Sequence, residues 1–230
     1  MLLSFYILLI IYYSYERWFS QDYLLIFCNL FDTISLVIIL LSIKNDDIYE
    51  ETIKYSKFIS LIFKVWSKEE VNIYLDKVKE KYPSASHYCY GYVIDNDIRS
   101  SDNGEPSGTA GNPILNQITS NDLNYVLIVV VRYFGGVKLG AGPLTRAYAK
   151  LARKVIRKEN IITLVKGYDT LIRFNYNDIK DIDYILSNCK ILNKEFNDTV
   201  IYNAYVSDDT LSKLSNYDVS INKEIYIEKE

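Results

Sequence analysis

The order of hydrophobic periodicities predicts an α+β protein with two folded domains behind an apolar amino-terminal stretch. A continuous apolar, largely β-branched run, Val126 to Val131, leads through a turn with four glycines into a helix-patterned segment, as expected of a strand buried on both faces and followed by a helix. After Lys166 the periodicities follow the order β-α-β-β-α-β, which is the ferredoxin-like unit: an antiparallel sheet with both helices on one face. A chain of 230 residues with 49% hydrophobic content can bury two modest cores. The expected divisions are an apolar extension over residues 1–46, a first domain over 47–166 and a ferredoxin-like domain over 167–230.

Residues 1–43 differ from the rest. Met1 to Tyr13 is apolar but short for a membrane span and has no basic flank of the signal-peptide kind. Tyr23 to Ile43 has spanning length but contains Asn29 and Asp32, and a mid-membrane aspartate costs about 2.5–3.5 kcal/mol on insertion scales. Three readings stay open: an extension foreign to the folded protein, a membrane anchor, and a packed helix.

From Thr52 the pattern is that of a folded domain. Lys57 to Val65 reads as a strand, and Ser67-Lys-Glu-Glu70 matches a capping box ahead of Val71, Leu75 and Val78 at helical spacing, with Pro83 as the stop. His87 to Ile94 reads as a strand, Asp95 to Gly111 as a polar loop, and Ile114, Leu115 and Ile118 as a short helix leading to the Val126 strand. Pro143 suits a first helical turn, where its missing amide hydrogen would be unpaired anyway. Leu144, Ala147, Tyr148, Leu151 and Val155 then form the buried stripe of that helix. In the second domain, strands are expected at Tyr168 to Tyr176, Lys190 to Phe196, Thr199 to Val206 and Ser220 to Ile227. Helices are expected at Asp178 to Ser187 and at Asp208 to Tyr217, the latter capped by Ser207 or Asp208.

Charge is unevenly placed. The net charge of −3 argues against a protein that coats nucleic acid through its overall field. Between Arg132 and Lys158, however, there are eight Lys or Arg and no Asp or Glu, leaving 18 basic against 29 acidic residues elsewhere. A glycine-rich turn opening onto a helix start can hold an anion with backbone amides, or can serve only for tight packing. The candidate contacts for an anion or nucleic acid are Arg132, Gly135, Gly136, Lys138, Gly140, Gly142, Arg146, Lys150, Arg153, Lys154 and Arg157. The segment has neither a Gly-Lys-Ser/Thr phosphate loop nor the third glycine of a dinucleotide fingerprint.

The other polar constellation is Ser101-Asp-Asn-Gly-Glu-Pro-Ser-Gly-Thr-Ala-Gly111. Asp102 and Glu105, with His87 as the single histidine of the chain, could supply acid-base groups; one histidine and two loop carboxylates fall short of a usual catalytic zinc site. The alternative is that these groups cap turns and helix ends. Cys28, Cys89 and Cys189 lie far apart without metal-type spacing and are expected to be reduced thiols of a cytoplasmic protein. No metal and no cofactor is expected.

The two long motifs, Ser101 to Gly111 and Val130-Val-Arg-Tyr-Phe-Gly-Gly-Val-Lys-Leu-Gly-Ala-Gly142 with Arg146-Ala-Tyr148, resemble the signature of the Impact/YigZ family. The resemblance covers Thr52 to about Ile162, and the following segment resembles the smaller carboxy-terminal domain of the bacterial branch. It implies a first domain like the second domain of ribosomal protein S5, and a second like the last domain of elongation factor G. It also implies a role in regulating translation: eukaryotic members bind an activator of an initiation-factor kinase, and bacterial members are suspected of binding nucleic acid or ribosomes. Asn103 stands where the family usually has a second aspartate, and Pro143 where glycine is common.

Two functions of different class follow. One is a non-enzymatic binding protein linked to translation or its regulation that contacts RNA, the ribosome or an acidic, translation-regulatory protein partner through the basic loop and helix. The other is an enzyme or binder of a small phosphorylated ligand at the glycine loop, with His87 and Asp102 or Glu105 as acid-base groups.

Overall fold

The computed structural model describes residues 40–229, so the readings made for residues 1–39 lie outside the described residues. No helix among the described residues is long and apolar enough to cross a membrane. Leu40–Ile43, placed by sequence at the end of the extension, forms strand β1 and pairs antiparallel with Ile161–Leu164.

The first sheet contains β2 (Asp47–Ile53), β3 (Ser56–Lys64), β4 (His87–Ile94), β5 (Asp97–Ser101) and β6 (Val126–Tyr133) in the antiparallel order β2-β3-β6-β4-β5. Helix α1 (Lys68–Lys81) covers one face, and α2 (Gly111–Thr119) with α3 (Ala141–Val155) covers the other. That is why β6 is apolar without alternation. Val126, Ile128 and Val130 pack with Ile114, Ile118, Leu144, Tyr148 and Leu151, while Leu127, Val129 and Val131 pack with Val71 and Val78.

Local chemistry sets the ends of these elements. Ser67 caps α1 by accepting from the Glu70 amide, and Glu70 Oε2 reaches back to accept from the Trp66 amide at 2.7 Å. Helix α1 ends at Lys81, ahead of Pro83. Pro143 is the third residue of α3, within its first turn. The expected polar loop from Asp95 to Gly111 needs correction, because Asp97–Ser101 forms a strand. Its side chains lack apolar alternation, and its conformation comes from pairing with Tyr90 to Ile94.

The second sheet contains β7 (Ile161–Phe174), β8 (Lys190–Phe196), β9 (Val200–Ser207) and β10 (Asp218–Glu228), with β1 added along the first residues of β7, and carries α4 (Ile179–Ile185) and α5 (Asp208–Lys213). The strands run antiparallel in the order β10-β7-β9-β8, and alternate residues such as Ile172, Tyr202, Ala204 and Val206 pack with Ile182 and Leu214 on the helical face. This is the ferredoxin-like arrangement. The boundary expected between residues 166 and 167 falls within one continuous strand, β7. A Cβ on Gly167 would meet Ile227 Cδ1 and the Val206 carbonyl oxygen at 2.9 Å, so its glycine serves close packing.

Candidate nucleic-acid interface

Arg132 continues the even-numbered series of β6 and so faces the side covered by α2 and α3, although it is charged. Both Phe58 on β3 and His87 on β4 stand opposite it in register. The guanidinium lies 5.2 Å from the Phe58 ring centre and 5.4 Å from that of Phe134. Its Nη1 donates to Glu105 Oε1 at 2.6 Å, and both side chains are about 95% buried. Nη2 lies 3.4 Å from Ser56 Oγ, which also accepts from the Gly135 amide at 3.2 Å.

Glu105 is delivered to this point by a loop folded around another carboxylate. Asp102 Oδ2 accepts from the Gly108 amide at 2.8 Å, and Oδ1 accepts from Ala110 and Gly111 at 2.9 and 2.8 Å. Burial opposes ionisation of Asp102, but these three amides outweigh it and hold the carboxyl below its ordinary range. Tyr148 of α3 donates to Glu105 Oε1 at 2.7 Å. The Cys89 thiol lies 2.9 Å from the Asp102 carbonyl oxygen and 3.4 Å from the Tyr148 hydroxyl, and burial pushes it up to about 12. Burial, with Cys89 and Glu105 alongside, likewise raises the Tyr148 hydroxyl.

His87 holds Nδ1 2.9 Å from the Asn103 carbonyl oxygen and Nε2 3.8 Å from Glu105 Oε2. The structure therefore brings His87, Asp102 and Glu105 into one neighbourhood, where each carboxylate is taken up in holding backbone or Arg132. Among the described residues there is no group of three or more His, Cys, Asp and Glu placed to hold a metal.

The expected anion contacts divide into two sets. Arg132 leaves the solvent-facing set because its guanidinium is buried against Glu105. Lys150 pairs with Glu51 of β2, and Arg157 with Asp47 at 2.8 Å. Lys138, Arg146, Arg153 and Lys154 are exposed and form no ion pair among the described residues. The last three lie along the face of α3 opposite its buried stripe. A groove of about 450 Å³ separates β2 from the start of α3, with Lys54, Pro143, Arg146 and Lys150 in its walls.

The glycines also divide. Gly136 and Gly140, at φ +85 and +80, have open space where a Cβ would sit. Gly140 caps α3, whose first turn has no acidic residue and no side-chain cap. Gly142 lies in that turn with Arg146 Nη1 near its Cβ direction at 3.6 Å. Gly135 presses on the β2–β3 turn: a Cβ there would fall 2.0 Å from the Tyr55 carbonyl oxygen.

Sequence reasoning missed Ser56, Phe58 and Tyr148 as partners of this cluster. One signal was present for Arg132: it shares the even parity of Val126, Ile128 and Val130, which predicts an inward side chain.

Residues 54–156 match the family model described as the Impact N-terminal domain. The chain is similar to the IMPACT family member YvyE of Bacillus subtilis strain 168, at 31% identity over 181 residues, covering 76% of this chain and 83% of that protein. It is also similar to the IMPACT family member YigZ of Escherichia coli strain K12, at 30% identity, covering 64% and 75%. A third relative, the IMPACT family member in the pol 5′ region of Thermus thermophilus, is 37% identical with 58% and 73% covered. A solved structure titled "Crystal structure of an hypothetical protein" superposes with a TM-score of 0.59 at 24% identity, over 80% of this chain and 96% of that one, which shows a shared fold.

Proposed function

Because the chain belongs to the Impact family, we propose that it is a non-enzymatic binding protein linked to translation, and that its glycine loop and the basic face of α3 contact RNA of the translation machinery. The observation that carries this is the placement of Lys138, Arg146, Arg153 and Lys154: exposed, on one loop and helix face, with no ion-pair partner among the described residues. Such cations take phosphates by releasing condensed counterions, whatever the base sequence. The small-ligand enzyme reading finds less support. Asp102 is saturated by backbone amides, and Glu105 Oε1 holds both Arg132 and Tyr148, so both carboxylates have structural partners that account for their placement.

The test is an electrophoretic shift of ribosomal RNA by the full chain. Arg153→Glu/Lys154→Glu should weaken binding by at least about tenfold, whereas Lys180→Glu on α4 should not. Equal affinity of all three proteins would overturn the reading.

A further inference from the structure

We propose that the β2–β3 hairpin tip and the start of the glycine loop form a stacking platform for the bases of single-stranded RNA, with Tyr55 and Phe134 as the platform and Lys54 and Lys138 at its phosphates. This rests on the RNA reading above and names the form of RNA that the surface takes.

The first observation is conformational. The hairpin turns through Lys54 and Tyr55 at φ 44 and 66, a pair of left-handed residues that two-residue hairpin loops usually fill with Asn-Gly. Large side chains disfavour that region. Among the described residues with positive φ, Tyr125 is also large, but it is buried, donates to Asp95 and packs between Trp66 and Tyr226. Tyr55 is 80% exposed, so its strained backbone holds a ring in solvent. Departures of this kind persist where surrounding structure fixes them, and they concentrate at binding sites.

The second observation is the support beneath the tip. Gly135 lies against the Tyr55 carbonyl so closely that any side chain there would collide with backbone. That approach sets the hairpin tip at the end of the sheet where β6 runs out into Phe134 and the glycine loop, just beyond the Lys57–Tyr133 pairing that closes the β3–β6 ladder. Phe134 has the buried Arg132 guanidinium 5.4 Å from its ring centre yet remains 45% exposed. The glycine contact thus fixes the backbone that carries Tyr55, and a buried cation backs the Phe134 ring, both at the same end of the sheet.

The third observation is charge. Lys54 lies in the wall of the groove that also holds Arg146 and the Lys150–Glu51 pair, so the tip borders the Arg146 end of the basic face of α3. Lys138 follows Phe134 in the glycine loop. Aromatic faces interleaved with cations suit a single strand, whose bases are open to stacking; a duplex keeps those faces covered.

The test uses the full chain and a fluorescein-labelled oligouridine of about 12 nucleotides, free or paired with oligoadenosine. The free strand should bind more tightly than the duplex. Tyr55→Ala should weaken it by about tenfold, with the salt slope and the duplex affinity unchanged. Tyr55→Phe should retain binding, and so should Phe134→Trp, which keeps a ring against Arg132. If RNA is bound with a steep salt dependence but Tyr55→Ala and Phe134→Ala both leave the single strand unaffected, the platform is wrong and the RNA reading stands. Absence of RNA binding by every form, or binding of polyglutamate in its place, overturns both.

Discussion

Arg132 Nη1 and Glu105 Oε1 meet at 2.6 Å with both side chains about 95% buried, and this contact joins the two glycine-bearing motifs of the chain. One motif supplies the carboxylate and its loop; the other supplies the guanidinium and, directly after it, the exposed loop that carries Phe134 and Lys138. The pair is the internal anchor of the proposed interface, and Tyr148 ties it to α3.

Removing one partner should leave the other charged and buried. Arg132→Met is expected to cost about 3–5 kcal/mol of unfolding free energy in urea titration. Arg132→Met combined with Glu105→Leu should recover part of that loss, because no uncompensated charge then remains. A single variant as stable as the wild type would remove the anchor from the account.

The glycines should separate by what lies beside them. Gly135→Ala would put a methyl group 2.0 Å from the Tyr55 carbonyl oxygen, so backbone must move and thermal stability should fall. Gly142→Ala meets only Arg146 Nη1 at an ordinary 3.6 Å and removes a glycine from a helix, so it should be neutral or stabilising by up to about 1 kcal/mol. Equal melting temperatures for the two variants would contradict the close approach of the glycine loop to the hairpin.

Asp102 should make the loop acid-sensitive. Its folded pKa is held below the ordinary carboxyl value of 3.8, burial opposing and three amides prevailing. Its ionised form therefore contributes stability above that value, and the contribution is lost as pH falls through the lower, folded one. The stability gap between wild type and Asp102→Asn should be full at neutral pH and shrink below about pH 4. A gap independent of pH would mean that the carboxylate charge has no such role.

How much of this could be read beforehand depended on whether a local pattern or a distant partner decides each conformation. The α1 cap, the buried strand β6 and the βαββαβ order were legible, because capping chemistry and side-chain period act over a few residues. Strand β5 was not, since Asp-Ile-Arg-Ser-Ser becomes a strand only through its hairpin with β4. The domain division expected between residues 166 and 167 was not legible as the middle of a strand, because the partners that Gly167 admits, Val206 and Ile227, lie about 40 to 60 residues away in sequence. Within the candidate site, basic residues were legible as a group, but Glu51 and Asp47, which pair with Lys150 and Arg157, lie on a strand about a hundred residues away in sequence. The Tyr55 tip carried no signal at all, because Lys-Tyr is an uncommon filling for a tight hairpin turn.

Cys89 is fully buried with its thiol pushed up to about 12, so it should resist alkylation at neutral pH in the native state. Peptide-resolved labelling across a urea series should show Cys89 reacting in step with global unfolding. Modification of Cys89 well before the unfolding transition would show that the loop covering it opens on its own.

The most direct test of the proposed interface is the salt dependence of ribosomal RNA binding by the full chain, compared with Arg153→Glu/Lys154→Glu. Each phosphate contact contributes a slope of roughly 0.7–0.9 in log affinity against log salt. The account predicts a steep wild-type slope that becomes shallower by about 1.5 when both contacts are reversed. Identical slopes for the two proteins, or an affinity indifferent to salt, would contradict it.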